Sequence, residues 1–145
     1  MDFLLFLTPT GNQILNSLVS AKFHIYENSG PCRTEKIFGY LESSNKMFIC
    51  TKNITSLGYD PYVYVNETLN HEAVHAVHQC HRRKTFGFKD AIGLKREDMY
   101  LPPEKMQDLR RSTSLTGNKT ILEHEAFYLE DKPQQVVKYI KKFCF

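Results

Sequence analysis

The run Asn70-His71-Glu72-Ala73-Val74-His75-Ala76-Val77-His78-Gln79-Cys80-His81 decides how the rest of this chain is read. Residues four apart lie one above another on a helix, so His71 and His75 project from the same face. Two imidazoles placed that way can hold one zinc ion. Glu72, beside the first of them, is positioned to take a proton from a water the zinc activates. No Pro or Gly interrupts the segment between Asn66 and Lys84. Leu69, Ala73, Val74, Ala76, Val77 and Cys80 supply the apolar surface that would bury it. Cys80, nine residues after His71, falls on the opposite face and is not expected to be a ligand.

Upstream, residues 37–41 (Ile-Phe-Gly-Tyr-Leu) and 47–51 (Met-Phe-Ile-Cys-Thr) flank the polar turn Glu42-Ser43-Ser44-Asn45 and read as a β-hairpin. Before it, Thr10-Gly11-Asn12 reads as a turn. Residues 13–22 read as a helix with Ile14, Leu15, Leu18 and Val19 inward. Residues 23–26 read as a strand, closed by Asn28-Ser29-Gly30-Pro31. Gly58-Tyr59-Asp60-Pro61 is a break, Tyr62 to Val65 reads as extended, and Asn66 or Thr68 is the expected cap of the metal helix. Downstream, residues 85–88 and 92–94 are loop-like, and a polar helix opens near Pro103 and runs to about residue 111. A loop over 112–119 leads to a helix over 120–131. Pro133 opens a last helix with Val136, Val137, Tyr139, Ile140 and Phe143 along one side. The order implies an α+β fold, a short antiparallel sheet followed by helices, in one domain over residues 1–145.

A catalytic zinc takes three protein ligands, and the helix over 120–131 offers Glu123 and Glu125. They sit about 200° apart around the axis, so only one can face the metal. Glu123 shares its face with Ala126, Phe127 and Glu130, and the small Ala allows close approach to the metal helix. Glu125 shares its face with Leu122 and Leu129. Glu123 is the favoured ligand, with Glu125 left as a surface or supporting carboxylate.

The pairing of H-E-x-x-H with a later E-x-x-A resembles the gluzincins, zinc proteases whose third ligand is that Glu. It is especially similar to their minimal forms, whose glutamate helix often reads E-x-E-A followed by an aromatic, as Glu123-His124-Glu125-Ala126-Phe127 does here. The likeness spans roughly residues 37–131. It implies a small zincin-like domain with the hairpin packed on the metal helix, Zn2+ held by His71, His75 and Glu123, and Glu72 as general base. Many gluzincins carry an Asp four residues after the ligand Glu to orient a ligand His. Here Phe127 stands at that position, so the supporting partner must come from elsewhere, with Glu130, Asp131 or a backbone carbonyl as candidates.

A second reading starts from His71, His75 and His81, which fit the metzincin spacing H-E-x-x-H-x-x-G-x-x-H. The Gly that breaks that helix is His78 here, a poor residue for a left-handed turn. In an unbroken helix His81 lies about 80° off the line of His71 and about 15 Å along the axis, out of reach of the same ion. His78 and His81 then read as a surface residue near the cleft mouth and a helix-end cation, and His24 and His124 carry no spacing argument.

The implied activity is hydrolysis of a protein or peptide substrate, with Glu72 passing the proton of the attacking water to the leaving amine. Tyr100, Tyr128, His78 and Arg96 are candidates to stabilise the oxyanion, and the strand over 47–51 could align the substrate by edge pairing. A catalytically inactive zincin-fold binding protein and a metzincin-like protease using His81 remain as alternatives.

Composition narrows the partners. The net charge is +3 over 145 residues, and the densest basic run, Arg82-Arg83-Lys84, reads as a solvated helix end rather than a nucleic-acid site. The apolar run Phe3-Leu4-Leu5-Phe6-Leu7 is too short for a secretory core or for the about 20 residues of a membrane span. Neither nucleic acid nor membrane is an expected partner, and a cytoplasmic location is expected. Cys32, Cys50, Cys80 and Cys144 are widely spaced and are expected to be free thiols.

Overall fold

A computed structural model describes residues 2–116 and 119–145. After a 3-10 turn over Asp2–Phe6 come α1 (Pro9–Ser20), β1 (His24–Glu27), β2 (Gly39–Leu41), β3 (Lys46–Ile49) and α2 (Thr51–Ser56). The long α3 (Pro61–Lys84) follows, then α4 (Pro103–Thr116), α5 (Thr120–Leu129) and α6 (Pro133–Cys144). The fold is α+β, mostly helical, with one small three-stranded sheet.

Helix α3 is the axle. It begins well before the expected cap, because Asp60 accepts a hydrogen bond from the Tyr62 amide (2.9 Å) and Pro61 occupies the first turn. That pairing is a strong helix start, and it overrides the strand preference of Tyr62 to Val65. Asn66 is therefore inside the helix. Its amide nitrogen donates to the Phe6 and Tyr62 carbonyls (2.8 Å each), and its oxygen accepts from the Thr8 amide (3.0 Å). The expected turn at residues 10–12 is helical, because Thr8 caps α1 by accepting from the Gly11 amide (3.0 Å) and Pro9 opens its first turn. Gly11 lies so close to Asn66 that a Cβ there would come within 2.6 Å of its oxygen.

The sheet is mixed rather than antiparallel. Its order is β1-β3-β2, with β1 parallel to β3 and β2 antiparallel to it. The hairpin forms but is shorter than expected, since Thr51 opens α2, and the strand expected at 47–51 is central and cannot be the edge that aligns a substrate. Met47, Phe48 and Ile49 are all buried, as befits a strand covered on both faces. The free edge beside the long helix is β2.

Around α3 the core gathers Phe3, Ile14 and Leu18 from the N-terminal elements and Met47 and Ile49 from the sheet. Ala126, Leu129, Val136 and Ile140 complete it from α5 and α6. Helix α6 buries Val136, Val137, Ile140 and Phe143 of the expected stripe and leaves Tyr139 half-buried. Val19, expected inward, is exposed. Helix α4 extends to Thr116, so most of the loop expected over 112–119 is helical, and its positions 117 and 118 lie outside the described residues.

The cysteines correct the sequence reading. Cys32 is bonded to Cys50 and Cys80 to Cys144, with no free thiol. Wide sequence spacing carried no information, because the fold brings each pair to a Cα separation of 5.3 or 5.1 Å. Cys80–Cys144 closes a separation of 64 residues and Cys32–Cys50 one of 18, worth roughly 4 and 3 kcal/mol by loop entropy. Cys144→Ser is thus expected to lower the unfolding free energy by roughly 4 kcal/mol in urea titration. A midpoint equal to that of the parent would show that the pair does not form in solution.

Candidate metal centre

On α3, His71 and His75 stand one turn apart with ring centroids 5.1 Å from each other. Helix α5 crosses them and delivers Glu123, 1% exposed. Its Oε1 lies 3.7 Å from His71 Nε2 and directly against His75 Nε2. One ligand atom from each residue falls within 4.8 Å of the other two, so His71, His75 and Glu123 form a group that could hold a metal ion. This is the set expected from sequence, in the expected register. Glu125 and His81 lie outside it.

The donor chemistry suits a cation. His75 Nε2 is buried and lies directly against a Glu123 carboxylate oxygen. An imidazole nitrogen set against a carboxylate needs a proton or a metal ion between them. Two imidazole nitrogens and one carboxylate oxygen match the catalytic ligand sets of zinc. Burial would push Glu123 up, but the two imidazoles facing it hold it well below the usual carboxylate range. Burial likewise opposes charge on His71, yet Glu123 and Glu130 together raise it well above the ordinary value.

Each histidine is held from behind. Glu130 Oε1 is 3.0 Å from His71 Nδ1, the supporting role proposed for it from sequence. Phe127, in place of the gluzincin Asp, packs edge-on against the His71 ring at 4.5 Å. His75 Nδ1 lies 3.3 Å from His78 Nδ1, and His78 Nε2 lies 2.8 Å from Glu125 Oε1. Burial lowers the pKa of His78, and the His78 bond and loop amides outweigh burial to lower that of Glu125. One proton arrangement satisfies this chain. Neutral His78 donates from Nε2 to the carboxylate and accepts at Nδ1 from His75, which leaves the His75 Nε2 lone pair bare for a metal. Glu125 is anchored in turn by the amides of Ile92, Gly93 and Leu94 (2.9, 2.9 and 3.1 Å).

These roles correct one sequence expectation and narrow another. His78 is buried rather than at the surface, and of the two roles left to Glu125 the supporting one fits, since it is fully buried against His78. The signal was present in the spacing, since positions 71, 75 and 78 repeat as i, i+4 and i+7 along one face. Helix α3 runs unbroken to Lys84. His81 therefore turns away, its Nδ1 2.9 Å from the Ala91 carbonyl and its ring against Phe143. The ligand role for His81 fails for this reason. His124 is buried with Nε2 2.8 Å from the Met99 carbonyl, an anchor for the loop before α4.

Glu72 is 7% exposed, and burial raises its pKa. It lines a cleft of about 880 Å³ together with His71, His75, Glu123 and the β2 edge. Strand β2 approaches α3 at Gly39, where a Cβ would meet Thr68 at 2.6 Å and the Glu72 side chain at 3.1 Å. A glycine there lets the sheet edge lie directly over the candidate base. At the α4 side the cleft is acidic, with Glu67, Glu104 and Asp108. Burial and the nearby Glu130 push Glu67 up to about 7. Of the four oxyanion candidates, Tyr100, Tyr128 and Arg96 do not line the cleft, and His78 has both ring nitrogens committed. Tyr40, Tyr59, Tyr64 and Arg111 are donors that do line it.

Fold and site together define a small α+β domain with a His-His-Glu group at the floor of a cleft. A family model matches residues 3–145, and the chain belongs to that family, described as a domain of unknown function (DUF8637). No curated protein and no solved structure matches it.

Proposed function

We propose that this domain is a zinc-dependent peptidase of minimal zincin type, similar in its ligand set to the gluzincins. The observation that carries the reading is the convergence of His71, His75 and Glu123 from two helices, with Glu72 in the same cleft. Zinc bound by those three residues would lower the pKa of a water and polarise a substrate carbonyl. Glu72 accepts the proton of the attacking water and returns it to the leaving amine, a transfer favoured by burial, which raises the pKa of this base. Glu130 fixes the His71 ring, and His78 with Glu125 fixes the tautomer of His75. The substrate backbone pairs with β2, the strand edge that borders the cleft. That edge is only three residues long, so the extended grip on a peptide is short.

The test uses the purified, untagged chain. One zinc per chain by elemental mass spectrometry is expected, with cleavage of a quenched-fluorescence peptide library that a chelator stops and added zinc restores. Absence of stoichiometric zinc would remove the reading altogether. Zinc without any turnover would make the domain a binding module with a peptidase-like centre.

A further inference from the structure

At the far end of α3 from its N-cap the chain makes a tight, protruding turn whose side chains the metal centre does not use. Phe86 and Phe88 are 92% and 90% exposed, the two most exposed large apolar side chains described. The turn is well built. Gly87 N donates to the Arg82 carbonyl (2.8 Å), and Thr85 Oγ1 accepts from the Lys89 amide (2.9 Å). Phe86 and Gly87 both hold positive φ, 54° and 90°, and a Cβ added at Gly87 would meet nothing within 4 Å. The tip is therefore convex and presents two rings to solvent at a conformational cost that no packing offsets. The last turn of α6 is fastened to the same end by Cys80–Cys144 and by Lys84 Nζ, 2.6 Å from the Phe145 main-chain oxygen. Phe145 adds a third ring, 60% exposed.

The charge near the rings is mainly positive. Residues 81–89 and 141–145 contain six Lys and Arg and no Asp or Glu. Against a net charge of +3, those six cations leave the other residues at −3. Arg82, Arg83, Lys84, Lys89, Lys141 and Lys142 are all exposed. The neighbouring acid, Asp90, is taken up by Arg82 (3.3 Å) and Lys119 (3.1 Å). A protein partner would need preformed pockets for two rings on a convex tip, whereas a lipid interface accepts them without complementary shape. Aromatic rings surrounded by cations are the signature of shallow insertion into an anionic leaflet.

We infer that the Phe86-Gly87-Phe88 tip and the basic collar around it dock this domain on the surface of membranes rich in anionic phospholipid. This is surface docking, since no helix among the described residues is long and apolar enough to cross a membrane. It departs from the expectation that the basic run after the metal helix is merely solvated. The docking does not depend on the proposed hydrolysis.

The whole chain is tested by co-sedimentation with vesicles of phosphatidylcholine, with or without about a third phosphatidylserine. Binding is expected to the anionic vesicles alone, and to fall steeply in about 1 M salt, where the Debye length is about 3 Å. The double change Phe86→Ser and Phe88→Ser should weaken it at least about tenfold with the circular dichroism spectrum and melting curve unchanged. The chain has no Trp, so Phe88→Trp gives a clean reporter whose emission should shift to the blue on anionic vesicles. Failure to bind those vesicles, or binding indifferent to the double change, overturns the inference. So does a wild-type dimer in sedimentation velocity that the double change converts to monomer without any vesicle binding, because the rings would then belong to a second copy.

Discussion

Glu72→Gln is expected to lower the turnover of any peptide this domain cleaves by roughly a hundred- to ten-thousandfold, the usual contribution of a positioned base. Gln is nearly the same size, so the buried site next to Gly39 stays filled, and zinc content should remain at one per chain. The loss should fall on kcat with KM little changed, because an amide removes the proton acceptor without removing a substrate contact. The control is the melting temperature. A variant that melts with the parent, keeps its zinc and no longer hydrolyses peptide assigns the base to Glu72. Unaltered hydrolysis would take the role from it and send the search to other carboxylates of the cleft, Glu67 foremost.

The second large effect is on metal affinity, read by competition with a chromogenic chelator. Glu123→Ala removes a bond and the negative charge that offsets a dication. Its loss should exceed the roughly ten- to hundredfold typical of outer partners. Glu130→Ala and Glu125→Gln should fall inside that outer-partner range, the first by releasing His71 and the second by unsettling the His78 support of His75. His81→Ala should leave affinity unchanged, since its ring bonds to Ala91 and packs on Phe143. Circular dichroism on each variant guards against misfolding at these buried positions. Damage from His81→Ala with a harmless Glu123→Ala would mean that the helix breaks near His78 in solution, and the ligand set would have to be redrawn.

How much of this was readable from residues alone varies with the physics involved. Spacing along one helix is a local quantity, so the shared face of His71 and His75 was legible, and the E-x-x-A register favoured Glu123, the carboxylate that lies beside them. The start of α3 was legible too, in Asp60-Pro61, but strand-forming residues just after it drew the boundary too far downstream. Long-range pairings were another matter. Nothing near Cys80 points to Cys144, and nothing near β1 announces that it lies parallel to β3. The uninterrupted apolar run Met47-Phe48-Ile49-Cys50 carried a hint that β3 is central, since an edge strand with one wet face alternates. Glu125 was the hardest. Its partners are His78 on another helix and three backbone amides of a loop, and amides leave no mark on the sequence.

The burial of α3 bears on how the metal centre behaves in time. Between Thr68 and His78 all but one of its residues, His71, are buried, and α5 and α6 pack along it. Opening this stretch means opening the domain, so its amides should exchange with solvent only at the rate of global unfolding. His71, His75 and Glu123 consequently stand in place without an ion. Any metal bound there would be chosen among cations by a prearranged set of donors, unlike small zinc modules that acquire their fold and their metal in one step.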